Sequence, residues 1–180
     1  MGLFNFSKKD ATLAIQNMIW MSQSAKLNGC MKLIQQLPDF LLMAWFSDTV
    51  DQFNKFLNEQ NGLGVEVLQA RSVLSIQAAN KKLILLEHYP LRNKELEFIR
   101  KLNSPQVIVL SSLDEPLFER FGSDKIIQTM KSLGMKDDEM IEHPMITRAI
   151  EQAQNKLDKK VLVENSTNSS KEWFERNITI

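Results

Sequence analysis

Two histidines, one cysteine and a short basic run are the side chains in this sequence whose chemistry must be accounted for first. His88 follows the apolar run at residues 82–86, a strand end of the kind where sites gather in α/β folds, yet no acid or nucleophile accompanies it in a familiar sequence pattern. His143 precedes Pro144 at an expected helix start. That is the setting of a structural turn, and no second histidine or cysteine stands at zinc-binding spacing. Cys30, the only cysteine, excludes an internal disulfide and a thiolate cluster, and is expected to serve as a small buried hydrophobe in a reducing compartment. Arg92, Lys94 and Arg100 have the charge to stabilise a transferred phosphoryl group, but on a helix surface solvated cations are the ordinary case. No Ser-His-Asp order, paired-carboxylate motif or glycine-rich loop is present, so the sequence assigns no catalytic, cofactor-binding or metal-ligating residue.

These residues need a frame. At 180 residues and 43% hydrophobic, the chain can bury one full core. Its 22 basic and 22 acidic residues balance, so no overall field draws it to nucleic acid or to an anionic membrane. The start lacks a signal peptide's pattern, and Phe6 stands where a myristoylation signal needs Ser or Thr, so the chain is expected to be cytoplasmic. Leu3, Phe4 and Phe6 beside Lys8 and Lys9 allow at most peripheral membrane contact.

From residue 10 to 37 apolar residues recur at helical spacing, predicting an N-terminal helical segment broken at Asn28-Gly29. The run at 40–46, without polar alternation, predicts a central buried strand, and those at 65–68, 83–86 and 107–110 predict further strands. Ser47 and Asp48 are expected to cap the helix after the first run, and helices are expected at 71–80 and 91–102 between the later ones. This alternation predicts an α/β fold of three layers, with about four to five parallel strands, right-handed crossovers, flanking helices and a helical C-terminal extension. The helix from Pro144 to Val163 is expected to leave the sheet. Residues 165–170 read as a polar linker, and Trp173, Phe174, Ile178 and Ile180 as an apolar tail that folds back or docks on a partner.

One stretch carries a resemblance. Phe121-Gly122-Ser123-Asp124-Lys125 runs through Leu133-Gly134-Met135 to Ile141-Glu142-His143-Pro144, with Ala153-Gln154-Asn155-Lys156 on the following helix. This is similar to the SecA preprotein translocase ATPase family where its second motor domain enters the scaffold helix. Residues 109–122 and 40–69 resemble other parts of that domain, with Ser47-Asp48-Thr49-Val50 as a helicase motif. The resemblance implies a helicase C-terminal-like, P-loop-NTPase-like fold divided into an N-terminal segment 1–38, a degenerate second motor domain 39–135, a scaffold-like helix 136–163 and a linker and tail 164–180. It also implies what is missing. The chain contains no Gly-x-x-x-x-Gly-Lys-Ser/Thr phosphate loop. The family's Ala-Gly-Arg-Gly-Thr-Asp loop does not occur, and residues 88–100 replace its arginine-bearing helix.

The expected function is therefore a noncatalytic SecA-like binding or regulatory module without a cofactor. A protein partner is expected, whether a translocase component, a preprotein or a second copy of the chain, and no nucleic acid. The alternatives are a half-motor that completes an ATPase site with a partner chain, or a fold relic unconnected with secretion.

Overall fold

The computed structural model describes residues 15–60, 64–141 and 144–178. The expectations placed on Leu3, Phe4, Phe6, Lys8, Lys9, His143 and Ile180 lie outside them. Five strands, β1 (Ile15–Trp20), β2 (Phe40–Ala44), β3 (Leu68–Gln69), β4 (Lys82–Leu85) and β5 (Val107–Ser112), form one parallel sheet in the order β1-β5-β4-β2-β3.

The first strand corrects the sequence reading. Residues 15–20, expected to be helical, pair with β5 from Ile15 opposite Val107 to Trp20 opposite Ser112. Over six residues the spacing of Ile15, Met18 and Ile19 fits a helix as well as a strand, and tertiary pairing decides. The helix α1 (Gln23–Gln36) follows, its start capped by Ser22, whose hydroxyl accepts from the Ala25 amide at 3.3 Å. It runs unbroken through Asn28-Gly29. Gly29 is there for close packing: a Cβ at that position would lie 2.3 Å from Cζ2 of Trp20.

The remaining elements are α2 (Ser47–Glu59), a 3-10 turn at Ala70–Ser72, α3 (Ser75–Ala78), α4 (Arg92–Leu102), α5 (Pro116–Glu119), α6 (Ser123–Ser132), α7 (Pro144–Lys160) and α8 (Ser170–Asn177). At α2 the N-cap position is Phe46, with no side-chain cap bond. Alternate strand residues feed two cores. Leu42, Ile84 and Ile108 meet Cys30 and Ile34 of α1 and Phe53 and Leu57 of α2 on one face. Met43, Leu85 and Val109 meet Ala78 of α3 and Ile99 and Leu102 of α4 on the other, giving the three-layer α/β arrangement.

A third core closes the carboxyl end of the sheet. Leu113, Ile150, Leu157, Trp173 and Phe174 belong to it, so α7 packs against the sheet and does not leave it. Ile141 pairs with the edge of β1 at Ile19 just before that helix. The apolar tail folds back onto the chain itself, with Trp173 and Phe174 each 1% exposed. The polar run before it is fixed by hydrogen bonds: the Asn168 carbonyl accepts from the Asp48 amide at 3.1 Å, and the Ser169 hydroxyl accepts from the Glu172 amide at 3.1 Å. Serines and asparagines order a backbone by such local bonds without burying apolar area.

Candidate functional site at the carboxyl edge

Strands β2 and β4 are neighbours, but the helices that follow them, α2 and α4, lie on opposite faces. Such a switch of direction opens a crevice outside the carboxyl ends of the strands, where α/β proteins receive ligands. The chain fills this crevice with its own side chains. Just past β4, Glu87 accepts through Oε1 from the Trp45 and Phe46 amides, both at 3.1 Å, and through Oε2 from the Thr49 hydroxyl at 2.8 Å. Burial pushes its carboxyl up to about 7, against the opposing pull of Lys26, the Phe46 amide and Thr49.

Lys26, reaching in from α1, is 1% exposed. Its ammonium donates to the Leu86 carbonyl at 2.9 Å, pairs with Glu115, and lies 5.3 Å from the centre of the Phe53 ring. Glu115 also accepts from the Ser112 amide at 3.0 Å, and Asp114 accepts from the Gln23 amide at the start of α1 at 2.9 Å. The space left is a polar cavity of about 260 Å³ lined in part by Lys26, Asp48, Glu87, Asp114, Glu115 and Lys171.

His88 lies next to this group, and the acid missing from the sequence pattern stands beside it. Nδ1 donates to Glu95 at 3.0 Å, and Nε2 meets Asn17 Oδ1 at 3.1 Å. Glu95, in the first turn of α4, also accepts from the Tyr89 amide at 3.0 Å and from Nε2 of Gln154 at 2.8 Å. The pair is buried, at 5% exposure for His88 and 0% for Glu95, so it ties β1, β4, α4 and α7 together while presenting no free ring nitrogen. Glu95 and Gln154 escaped sequence reasoning; the signal was the seven-residue step from a strand end into the first turn of a helix.

Two of the three basic residues singled out in the sequence are occupied as well. Arg92 bonds Glu151 at 2.8 Å, Lys94 pairs with Glu164, and Arg100 is exposed on α4. Glu164 also accepts from the Tyr89 hydroxyl and the Trp173 indole. Burial raises the Glu164 carboxyl, but the donors Lys94, Tyr89 and Trp173 outweigh it and hold the group below its ordinary value. Burial, and then Glu164, push the Tyr89 hydroxyl up. Cys30 is wholly buried, and burial raises its thiol to about 12, with Lys26 pulling the other way, so it is inert as a nucleophile.

The protonation of Glu87 makes stability depend on pH. Its value rises from 4.5 free to about 7 folded, so between those limits the native state binds the proton more strongly and stability falls as pH rises. Glu87→Gln removes that slope while keeping an acceptor for the Trp45 and Phe46 amides. The variant is expected to be more stable than the parent at pH 8 by about 2–3 kcal/mol and level with it near pH 5. Urea titrations at pH 5, 6, 7 and 8 check this, and parallel curves for the two proteins would refute it.

The fold and the crevice define an α/β domain of the doubly wound kind whose ligand position is taken up by its own carboxylates. No protein-family model matches the chain. Over 49 residues it is 51% identical to the protein translocase subunit SecA of Acidithiobacillus ferrooxidans, a match covering 27% of this chain. Over 47 residues it is 53% identical to that subunit of Methylococcus capsulatus and 49% identical to that of Rickettsia akari, each covering 26% of this chain. The chain thus spans about 5% of the length of these relatives, and it contains a SecA-related segment. Among the described residues, no helix is long and apolar enough to cross a membrane.

Proposed function

We propose that this protein is a noncatalytic SecA-like module that binds a protein partner in preprotein translocation and hydrolyses no ATP of its own. The observation that carries the reading is the occupation of the crevice. A nucleotide-binding α/β domain keeps the starts of its helices open for phosphate at this edge. Here Glu87 takes the amides leading into α2, and Asp114 takes the first amide of α1. A phosphate entering would meet carboxylates, and Arg92 and Lys94 are already paired with Glu151 and Glu164.

The SecA-related segment supports a place in translocation. On this reading residues 39–135 are a degenerate second motor domain and 136–163 the start of its scaffold helix, acting on the cytoplasmic side. The partner is a translocase component, a preprotein or a second copy of the chain. The test is a pair of measurements on the purified full chain. Magnesium ATP is expected to show neither binding by calorimetry nor turnover, and the chain is expected to bind the SecA of its own host, or an unfolded preprotein, at micromolar concentration or tighter. Turnover of ATP, alone or with SecA, would overturn the noncatalytic reading, and failure to bind SecA, a preprotein or itself would overturn the translocation reading.

A further inference from the structure

A roomier cavity lies between α5, α6 and α7, with a volume of about 720 Å³. This is within the roughly 300–1,000 Å³ of small-molecule sites. Its lining includes Ile126, Ile150 and four methionines at five-residue steps, Met130, Met135, Met140 and Met145. Thioether side chains are flexible and polarisable, which suits a ligand of variable shape. Among the described residues, one polar side chain interrupts this wall. Ser123 is 2% exposed, and its hydroxyl has no hydrogen-bond partner among the described residues, a costly state for a buried polar group. It is also the first residue of α6, a helix of 10 residues that follows Gly122 in the left-handed conformation and has no side-chain cap. An orphan hydroxyl and the positive end of a helix dipole therefore meet in the wall of an apolar cavity. Asp124, the acid of that first turn, is exposed and outside the lining.

We propose that this cavity binds a single-chain anionic amphiphile, a long-chain carboxylate whose head is held by Ser123 and the start of α6 while its tail lies among the methionines. Other occupants fit less well. An extended peptide brings an N–H and a C=O with every residue, and apolar walls leave them unpaired. The apolar face of a partner helix brings no anion to the orphan hydroxyl. An acyl chain with a carboxylate head satisfies both parts of the wall, whether or not the translocation reading holds.

The test is calorimetric titration of the full chain with oleate below its micelle threshold, with oleyl alcohol as the uncharged comparator. One saturable oleate site is expected, with the alcohol binding about tenfold more weakly and Ser123→Ala costing oleate a similar factor, the usual worth of a hydrogen bond to a charged group. Ala149→Trp, at an exposed position of α7 in the cavity wall, is expected to abolish binding of both. Its melting transition reports whether the fold is retained, and Ser123→Ala keeps the test open if it is not. No saturable oleate binding, or binding that both variants leave unchanged, overturns the proposal. Equal affinity for oleate and oleyl alcohol overturns the placement of the head. Self-association or binding of a helical peptide that Ala149→Trp abolishes, with no uptake of oleate, shows a protein interface instead.

Discussion

Lys26→Ala is expected to lose about 3–5 kcal/mol of stability at pH 8, the usual result of removing one partner of a buried ion pair and leaving the other charged. Lys26 is 1% exposed and Glu115 15%, so solvent screens this pair little. The same ammonium satisfies the Leu86 carbonyl and draws the Glu87 carboxyl downward against burial. Its loss therefore strands two acids. The pH dependence has a definite sign. Without Lys26 the Glu87 carboxyl climbs above its present value of about 7, so the window in which stability falls with rising pH reaches further into the alkaline range. The deficit relative to the parent should then be smaller at pH 6, where Glu87 holds its proton, than at pH 8. Urea denaturation at both values measures it. Adding Glu87→Gln to Lys26→Ala should recover part of the loss, because one of the stranded charges is gone. A deficit below about 1 kcal/mol at pH 8 would mean that water reaches the pair and screens it despite its burial.

How far the sequence exposed this arrangement differs from element to element. The central strands were legible because a parallel strand buried on both faces is written as an unbroken apolar run, as at Leu83, Ile84 and Leu85 or at Val107, Ile108 and Val109. The edge strand was not. Its polar residues Gln16 and Asn17 break the run, and Asn17 is used for hydrogen bonds to His88 and Thr147. The short β3 is only two residues, too few to carry a period, so the expected strand at 65–68 marks its neighbourhood and not its register. The candidate site was legible only as a place. A histidine after a strand end pointed to the carboxyl edge, but the acids that complete the network come from α4 and from the turn after β5, brought in by topology. Lys26 in particular reads as one polar residue of an amphipathic helix, and nothing local distinguishes a lysine that faces solvent from one that spans a core.

Trp173→Ala is expected to cost about 3–5 kcal/mol, the range for emptying a buried aromatic site. The ring is 1% exposed and stands edge-on to Phe174 at 5.1 Å and to Tyr89 at 6.5 Å, while its indole donates to Glu164. Removing it opens a void in the core at the carboxyl end and takes one of the three donors that hold Glu164 ionised against burial. The consequence reaches the crevice. The run before α8 supplies the Asn168 carbonyl to the Asp48 amide, α8 itself brings Lys171 to the wall of the polar cavity, and both depend on α8 staying in place. Trp173→Phe keeps most of the packing and loses only the indole donor, so it should cost about 1–2 kcal/mol, mainly the hydrogen bond to a charged acceptor. Chemical denaturation of the two variants, followed by far-ultraviolet circular dichroism, separates the packing and polar contributions. A Trp173→Ala protein within 1 kcal/mol of the parent would show that the tail is a detachable strip free to dock on a partner. The expected loss makes α8 part of the fold, and then any partner must be met by apolar surface elsewhere on the chain, such as the exposed Leu74 and Ile76 around α3.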